Sequence, residues 1–343
     1  MTLRIALDAM SGDHGPSIVV PAALKILAER EDLHLILVGE AAVLKQMLGQ
    51  QSAKVMQHLS IQHATQRVEM DELPSRALRG KKDSSMRVAI NLVKQNKADA
   101  CVSAGNTGAL MVTARYVLKT LPGIDRPAII TTLPNMQDKY THVLDLGANI
   151  DVTAEHLFQF AIMGTVLAQA VHNLTSPRIG LLNIGEEEIK GNQRVKEAAK
   201  LLASSPIINY FGFVEGNDIF KGTVDVVVCD GFVGNVFIKT AEGVAQMMNY
   251  YIKQNFNKNL LTRLAARISL PILKKLHQEI DPRRYNGASL LGLRGIVIKS
   301  HGGADVLSFT CAIKEAIIEV QKNVPLQINH QLATLLSQKR QIE

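Results

Sequence analysis

Short apolar, β-branched runs alternate with helical patterns along nearly the whole chain, and this rhythm restricts the fold more than any other feature. Residues 3–7, 34–38, 60–63, 98–103, 128–133, 142–146, 178–184 and 224–229 read as strands. Residues 16–29, 41–48, 84–95, 107–118, 153–172, 192–203, 233–255 and 305–322 read as helices. Such alternation predicts an α/β fold, a Rossmann-like and mostly parallel sheet flanked by helices. The rhythm breaks at 287–293 and 294–300, which fit an antiparallel pair.

At 343 residues the chain is long enough for a large core and two subdomains. Hydrophobic residues make up 47 % and charged residues 20 %, so the chain reads as globular. No run rich in Gly, Ser and Pro marks a linker, so the expected organisation is one unit, 1–330, whose two subdomains share a sheet. A protruding segment at 250–280 and a tail at 331–343 complete it. The cysteines, Cys101, Cys229 and Cys311, are few and scattered, which argues against a disulfide framework or a structural zinc site and for a reducing cytoplasm. Met1–Asp8 carries Arg4 too early for a signal peptide. The longest uncharged stretch, 156–177, holds Gln159, Gln169, Asn173 and two histidines and reads as a buried helix, not a membrane span. The net charge of +7 suits an anionic membrane surface or an acidic protein partner. Nucleic acid is disfavoured: tryptophan is absent and no basic-aromatic interleaving occurs.

In an open parallel sheet, ligands sit beyond the carboxyl ends of the strands. The segments there are rich in Gly, Asn and Asp. They are Asp8-Ala-Met-Ser-Gly-Asp-His-Gly-Pro16, Ser103-Ala-Gly-Asn-Thr-Gly108, Asp145-Leu-Gly-Ala-Asn149, Asn183-Ile-Gly-Glu186 with Lys190-Gly-Asn192, Asp230-Gly-Phe-Val-Gly-Asn235, and Lys299-Ser-His-Gly-Gly-Ala-Asp305. The second runs from a strand through a tight turn into a helix. Free N–H groups and the positive end of the helix dipole then favour an anion. Each loop alone is explained equally by turn and capping chemistry. Six of them on one expected face are harder to explain that way.

These strings, together with Leu144–Asn149, Leu181–Gly191, Val214–Asp218, Asp225–Val236, Gly287–Leu293 and Lys299–His301, resemble the PlsX family of phosphate acyltransferases over residues 3 to about 320. The resemblance implies transfer of a fatty acyl group from acyl-[acyl carrier protein] to inorganic phosphate, giving acyl phosphate for bacterial phospholipid synthesis. It also implies a fold similar to isocitrate and isopropylmalate dehydrogenases and to phosphotransacetylases, a homodimer, and peripheral association with the inner face of the membrane. No cofactor is implied. Ser11 stands where the family usually has glycine, and serine disfavours a positive φ there.

A thioester is already activated and phosphate is already an oxyanion, so direct attack needs no protein nucleophile. The site must bind and orient phosphate and stabilise the oxyanion forming on the carbonyl. No GxSxG elbow or Cys-His signature is present. Cys101 reads as core, whereas Cys229, at a strand end, leaves an acyl-cysteine step open. The candidate catalytic residues are Asn106, Asn235, His301 and Lys190. His301 suits protonation of the departing thiolate or phosphate binding, and equally a loop-bracing role. Candidate substrate-binding residues are Asp8, Gly12, Asp13, His14, Ser103, Gly105, Thr107, Asn149, Asn183, Gly185, Glu186, Asp230, Gly234, Lys239 and Lys299. The strand-end aspartates are expected to orient neighbours rather than hold a metal.

Between Tyr250 and His277, Phe256, Leu260, Leu261, Leu264, Ala265, Ile268, Ile272, Leu273 and Leu276 recur at helical spacing among Lys253, Lys258, Arg263, Arg267, Lys274 and Lys275, with no acidic residue. Pro271 is expected to split the segment into two helices. The pattern fits a surface lying on anionic lipid through Leu260, Leu261, Leu264, Ile268 and Ile272, or a helix pair in a dimer interface. The same positive surface would attract an acidic carrier protein. Rival functions are a CoA-dependent phosphate acyltransferase or a dehydrogenase on the same scaffold, and a non-catalytic membrane scaffold for lipid synthesis. A Rossmann dinucleotide site would want GxGxxG after a strand, and none occurs.

Overall fold

The computed structural model describes residues 2–342, with the side chains of 274, 276–280, 282 and 335–342 outside the description. The strands are β1 (Leu3–Asp8), β2 (Leu33–Gly39), β3 (Leu59–His63), β4 (Ala100–Ser103), β5 (Ala128–Pro134), β6 (Tyr140–Leu144), β7 (Arg178–Leu182), β8 (Asn209–Val214), β9 (Val226–Val228), β10 (Ala288–Leu291) and β11 (Ile296–Lys299). The helices are α1 (Pro16–Glu29), α2 (Ala41–Leu48), α3 (Ala53–Gln57), α4 (Pro74–Gly80), α5 (Ser85–Lys94), α6 (Thr107–Leu118), α7 (Ala154–His172), α8 (Gln193–Ala203), α9 (Asp218–Lys221), α10 (Gly231–Phe256), α11 (Leu260–Ile280), α12 (Val306–Lys322) and α13 (Val324–Ile342).

All eleven strands form one sheet, in the order β3-β2-β1-β4-β11-β10-β5-β6-β9-β7-β8. Most pairings are parallel; the antiparallel ones are β11–β10, β10–β5 and β5–β6. The β10–β11 pair is the antiparallel element expected near 287–300. Successive residues of the central strands bury on opposite faces, because side chains alternate across a strand. Ala6, Cys101, Val143, Val227 and Val297 share one face with residues of α5 and α6, and Phe237 and Ile238 of α10 pack on that cluster. On the other face, Ile5, Leu7 and Val102 pack with α1 and α12, and Leu144, Val226 and Val228 pack with α7 and α8.

The expectation that all six loops leave one edge of a parallel sheet is corrected here. Three antiparallel pairings in a row reverse the direction of β6, β9, β7 and β8 relative to β1, β4 and β11. In a flat sheet the two sets of carboxyl ends would lie at opposite edges. Sheets twist by about 20–25° per strand, however, so the five steps from β4 to β9 accumulate about 100–125°. Such a twist turns the two sets of ends away from strict opposition, and α10, which follows β9, packs Phe237 and Ile238 on the cluster that holds Ala6, Cys101 and Val297 of the first half.

Two further expectations fail locally. Pro271 does not split its segment: α11 runs unbroken from Leu260 to Ile280. Pro271 removes one helical hydrogen bond on an exposed helix, where water can reach the freed carbonyl. The real break is at 257–259, where Asn257 ends α10 and Asn259 opens α11 by accepting from the Thr262 N–H at 2.9 Å. The boundary at 330/331 falls inside α13, so the last segment continues a helix that packs on α7. Lys274, Leu276 and His277 of the basic segment lie outside the described side chains.

Candidate active site

The site grows from a row of register partners. Asp8 of β1 pairs with Ser103 of β4, and Ser103 pairs with Lys299 of β11. Each is the last residue of its strand, and register partners share a face, so three polar side chains stand in line at the carboxyl ends. The row continues the face occupied by Ala6, Cys101 and Val297, toward which α10 also packs.

Hydroxyls fasten the row. Ser103 Oγ donates to Asp8 Oδ2 at 2.6 Å and accepts from the Gly105 N–H at 3.1 Å. Ser11 Oγ donates to the Asp8 carbonyl at 3.2 Å and accepts from the Ala104 N–H at 3.2 Å. Asp8 is fully buried, and burial raises its carboxyl above the usual range against hydrogen bonds that pull it down. Its Oδ1 is buried without a partner. The serine at position 11 is therefore a stitch between two loops; positive φ falls on its neighbours Gly12 and Gly15. At Gly12 a Cβ would come within 2.9 Å of both Ala104 Cβ and the Gly302 carbonyl oxygen, so only glycine lets the three loops close. The Asp13 N–H donates to the Gly302 carbonyl at 2.9 Å, and the Ser300 N–H to the Ser103 carbonyl at 2.8 Å. Asp13 and His14 stay exposed on the rim.

Asn106 is committed to its own backbone. Its Oδ1 caps α6 by accepting from the Ala109 N–H at 2.9 Å, and its Nδ2 donates to the carbonyls of Met70 and Glu72 at 2.7 and 3.2 Å. What this turn offers an anion is main chain, since the first N–H groups of α6, Thr107 and Gly108, have no intrahelical acceptor. Asn106→Ala is expected to lower stability by about 1–2 kcal/mol, read as a fall in the denaturant midpoint, because it removes a cap and frees the 70–72 loop. His301 is likewise tied in: its N–H donates to Asn286 Oδ1 at 2.9 Å and its Nδ1 accepts from Gly303 at 3.1 Å.

A second cluster sits at the ends of β6 and β9. Asp145 is buried, and its carboxylate accepts from the N–H groups of Ile129, Ala148 and Asn149 and from Asn149 Nδ2, at 2.7–3.0 Å. Asn149 Nδ2 also reaches the Pro127 carbonyl at 2.8 Å. Asp230 caps α10 at Val233 and accepts from Arg194 Nη2 at 3.0 Å. Gly234 faces the Asp145 carbonyl so closely that a Cβ would overlap its oxygen. This contact seats the α10 N-terminus and leaves Asn235 exposed one residue on, with Gly147 packed beside it. Asp145 and Arg194 were missed as site-builders. Asp145 opens the 145–149 loop, where its residue type fits turn chemistry, and Arg194 lies within a helix with no local signal.

The 183–191 loop forms a third group. The Asn183 amide lies over Gly191, at φ +86°, where no Cβ would fit, and its Nδ2 is buried without a partner. Gly185 is buried, while Glu186 and Lys190 are exposed. Among the described residues no hydrogen bond or ion pair joins this loop to the ends of β1, β4 and β11. It adjoins the second cluster through Arg194 of α8.

The first cluster and α10 meet electrostatically. Lys299 is buried, and its ammonium donates to the Ser300 carbonyl. Burial and then the charge of Lys239 push it down to about 8, against Asp13 and Asp8. Lys239 itself is exposed and paired with Glu242 at 2.7 Å. Thiol chemistry is disfavoured: Cys101 and Cys229 are buried, and burial raises both thiols well above their ordinary value. The arrangement offers helix N-termini, cations and a buried polar row of Asp8, Ser103 and Lys299, with no activated thiol among the described residues.

Among solved structures, the chain resembles a phosphotransacetylase from Staphylococcus aureus with TM-score 0.60 and 15 % identity, covering 94 % of each chain. It also resembles 4-hydroxythreonine-4-phosphate dehydrogenase from Klebsiella pneumoniae with TM-score 0.53 and 13 % identity, covering 93 % of this chain and 100 % of that one. These likenesses show the shared α/β fold. In sequence, the phosphate acyltransferase of Nitrosococcus oceani is 60 % identical over 98 % of this chain and 99 % of its own. The fatty acid synthesis protein family matches residues 3–327, and on that match and that identity the chain belongs to this family.

Proposed function

We propose that the chain transfers a fatty acyl group from acyl-[acyl carrier protein] to inorganic phosphate, by direct attack of phosphate on the thioester. Its family and its phosphate acyltransferase relatives support an acyltransferase that uses phosphate as acceptor. The observation that carries the direct route is the pairing of anion-binding elements with inert thiols. The N-terminus of α6 follows directly on Ser103 in the row ending in Lys299, α10 packs on the same face through Phe237 and Ile238, and both strand cysteines are buried. Lys190 and Lys239 supply exposed positive charge, and Asn235 stands at the open end of α10.

The test is free-thiol release from acyl-[acyl carrier protein] with and without phosphate. Release is expected only with phosphate, and Asn235→Ala is expected to lower it about tenfold or more while the protein stays folded. Thiol release that ignores phosphate would overturn this function. Equal use of acyl-CoA would favour the CoA-dependent alternative, and turnover linked to nicotinamide absorbance would favour the dehydrogenase.

Peripheral membrane contact and a homodimer belong to the same proposal. Among the described residues no helix is long and apolar enough to cross a membrane. The α10–α11 hairpin nevertheless presents Leu260, Leu261, Leu264, Ile268 and Ile272 at 56–82 % exposure beside basic side chains. Such a surface suits anionic lipid. Replacing Leu264 and Ile268 by Asp is expected to weaken binding to anionic vesicles about tenfold and leave turnover in solution measurable. Unchanged vesicle binding would assign the surface to a dimer interface.

A further inference from the structure

The geometry points to Lys299 as the acid that protonates the sulfur leaving the thioester. This inference rests on the acyl-transfer reading above. Lys299 ends the register row Asp8–Ser103–Lys299, so its side chain lies on the same face as α10. It is 8 % exposed, and the hydrogen bond it makes is to the neutral carbonyl of Ser300. The charged groups that act on it come from three elements: Asp8 on β1, Asp13 on the loop before α1, and Lys239 on α10. No carboxylate is salt-bridged to it among the described residues. Lys239, by contrast, is solvated and paired with Glu242.

A cation that only holds phosphate is best permanently charged. Lys299 is tuned away from that. Burial and the neighbouring Lys239 bring its proton affinity down to about 8, close to the ~8.5 of an ordinary thiol. Proton transfer between ammonium and departing thiolate is then nearly balanced in energy, which is where a general acid works best. His301, the other candidate, is exposed, and its Nδ1 is already occupied by Gly303.

The step balances without any further reactant. An oxygen of hydrogen phosphate dianion forms a bond to the carbonyl carbon, and the C–S bond breaks with its electron pair passing to sulfur. The Lys299 ammonium gives that sulfur a proton and becomes a neutral amine. The acyl hydrogen phosphate just formed is a stronger acid than the phosphate that entered. Its remaining hydroxyl proton returns to the amine, leaving acyl phosphate dianion, free thiol and the starting ammonium.

Leaving-group dependence separates this role from others. With inorganic phosphate as acceptor, Lys299→Met is expected to slow thiol release from an alkyl thioester about 100-fold or more. From an aryl thioester, whose thiolate leaves unaided, the loss is expected to stay under about fivefold. Lys299→Arg keeps the charge but does not release its proton, so it is expected to behave like Lys299→Met on the alkyl thioester. Equal losses on both thioesters, or an Arg variant as fast as the parent, would overturn the assignment. The aryl thioester rate also reports whether the variants are folded. As an independent arm, Lys239→Met removes a repelling charge and is expected to move the alkaline limb of the kcat/KM profile upward by about half a pH unit. An unmoved limb would count against Lys299. If the parent protein releases thiol from neither ester in response to phosphate, the acyl-transfer reading fails first, and that outcome is visible before any variant is made.

Discussion

Asp145→Ala is expected to cost about 3–5 kcal/mol of stability, and acyl transfer to phosphate with it. The Asp145 carboxylate is buried and accepts four hydrogen bonds: from the N–H groups of Ile129, Ala148 and Asn149 and from the Asn149 amide. Removing it leaves several buried donors unpaired at once, each costing roughly 1–3 kcal/mol, with partial relief where water enters. The damage falls on the active-site side, because the Asp145 backbone is also the seat of Gly234 and Asn149 accepts from the Gly231 N–H at 2.8 Å. Losing the loop therefore unseats the first turn of α10, which carries Asn235. Asp145→Asn keeps the shape but turns an NH2 group toward donors, so an intermediate loss is expected. A denaturant midpoint for Asp145→Ala within about 1 kcal/mol of the parent would show that the loop is held by something other than this carboxylate.

Much of this architecture was legible because its causes are local. The apolar runs Ile5–Leu7 of β1, Leu35–Val38 of β2 and Ala100–Val102 of β4 are continuous because both faces of those strands are covered, and continuous apolar runs are easy to see. The loop strings were legible because caps and tight turns demand particular residues: Asn106, Asn192, Asp230 and Asp305 each accept from an N–H three residues on. The reversal of the second half was written in the chain too. Only 135–139 separate β5 from β6, far too short for a parallel crossover. What the sequence concealed depends on distant partners. The edge strand β8 carries Gly212 at φ +131° and alternates exposed with partly buried residues, so it lacks an apolar run. Arg194 becomes a site-builder only when α8 meets Asp230. The alignment of Asp8, Ser103 and Lys299 is a consequence of strand register, which no single segment encodes.

Two carboxyl groups remote from those loops should make a large and separable contribution to the pH dependence of stability. Glu315 and Glu319 lie one turn apart on α12. Glu319 is 1 % exposed, with Oε1 unpartnered; burial, then the charge of Glu315, raises its carboxyl to about 8, although the Ser289 hydroxyl acts in the other direction. Burial alone raises Glu315 to about 7. Both groups hold a proton more tightly in the folded chain than the ~4.3 of an unfolded glutamate. Between those limits the native state binds more protons than the unfolded state, so stability falls as pH rises from about 5 to about 8. Glutamine copies the protonated form. The variant with Glu315→Gln and Glu319→Gln is therefore expected to match the parent near pH 5 and exceed it at pH 8. Counting only about one pKa unit for each group gives about 3 kcal/mol, or roughly 5 °C in Tm for a chain of this size. Thermal unfolding at both pH values checks it. A double variant no more stable than the parent at pH 8 would mean that α12 opens enough for water to reach both carboxylates.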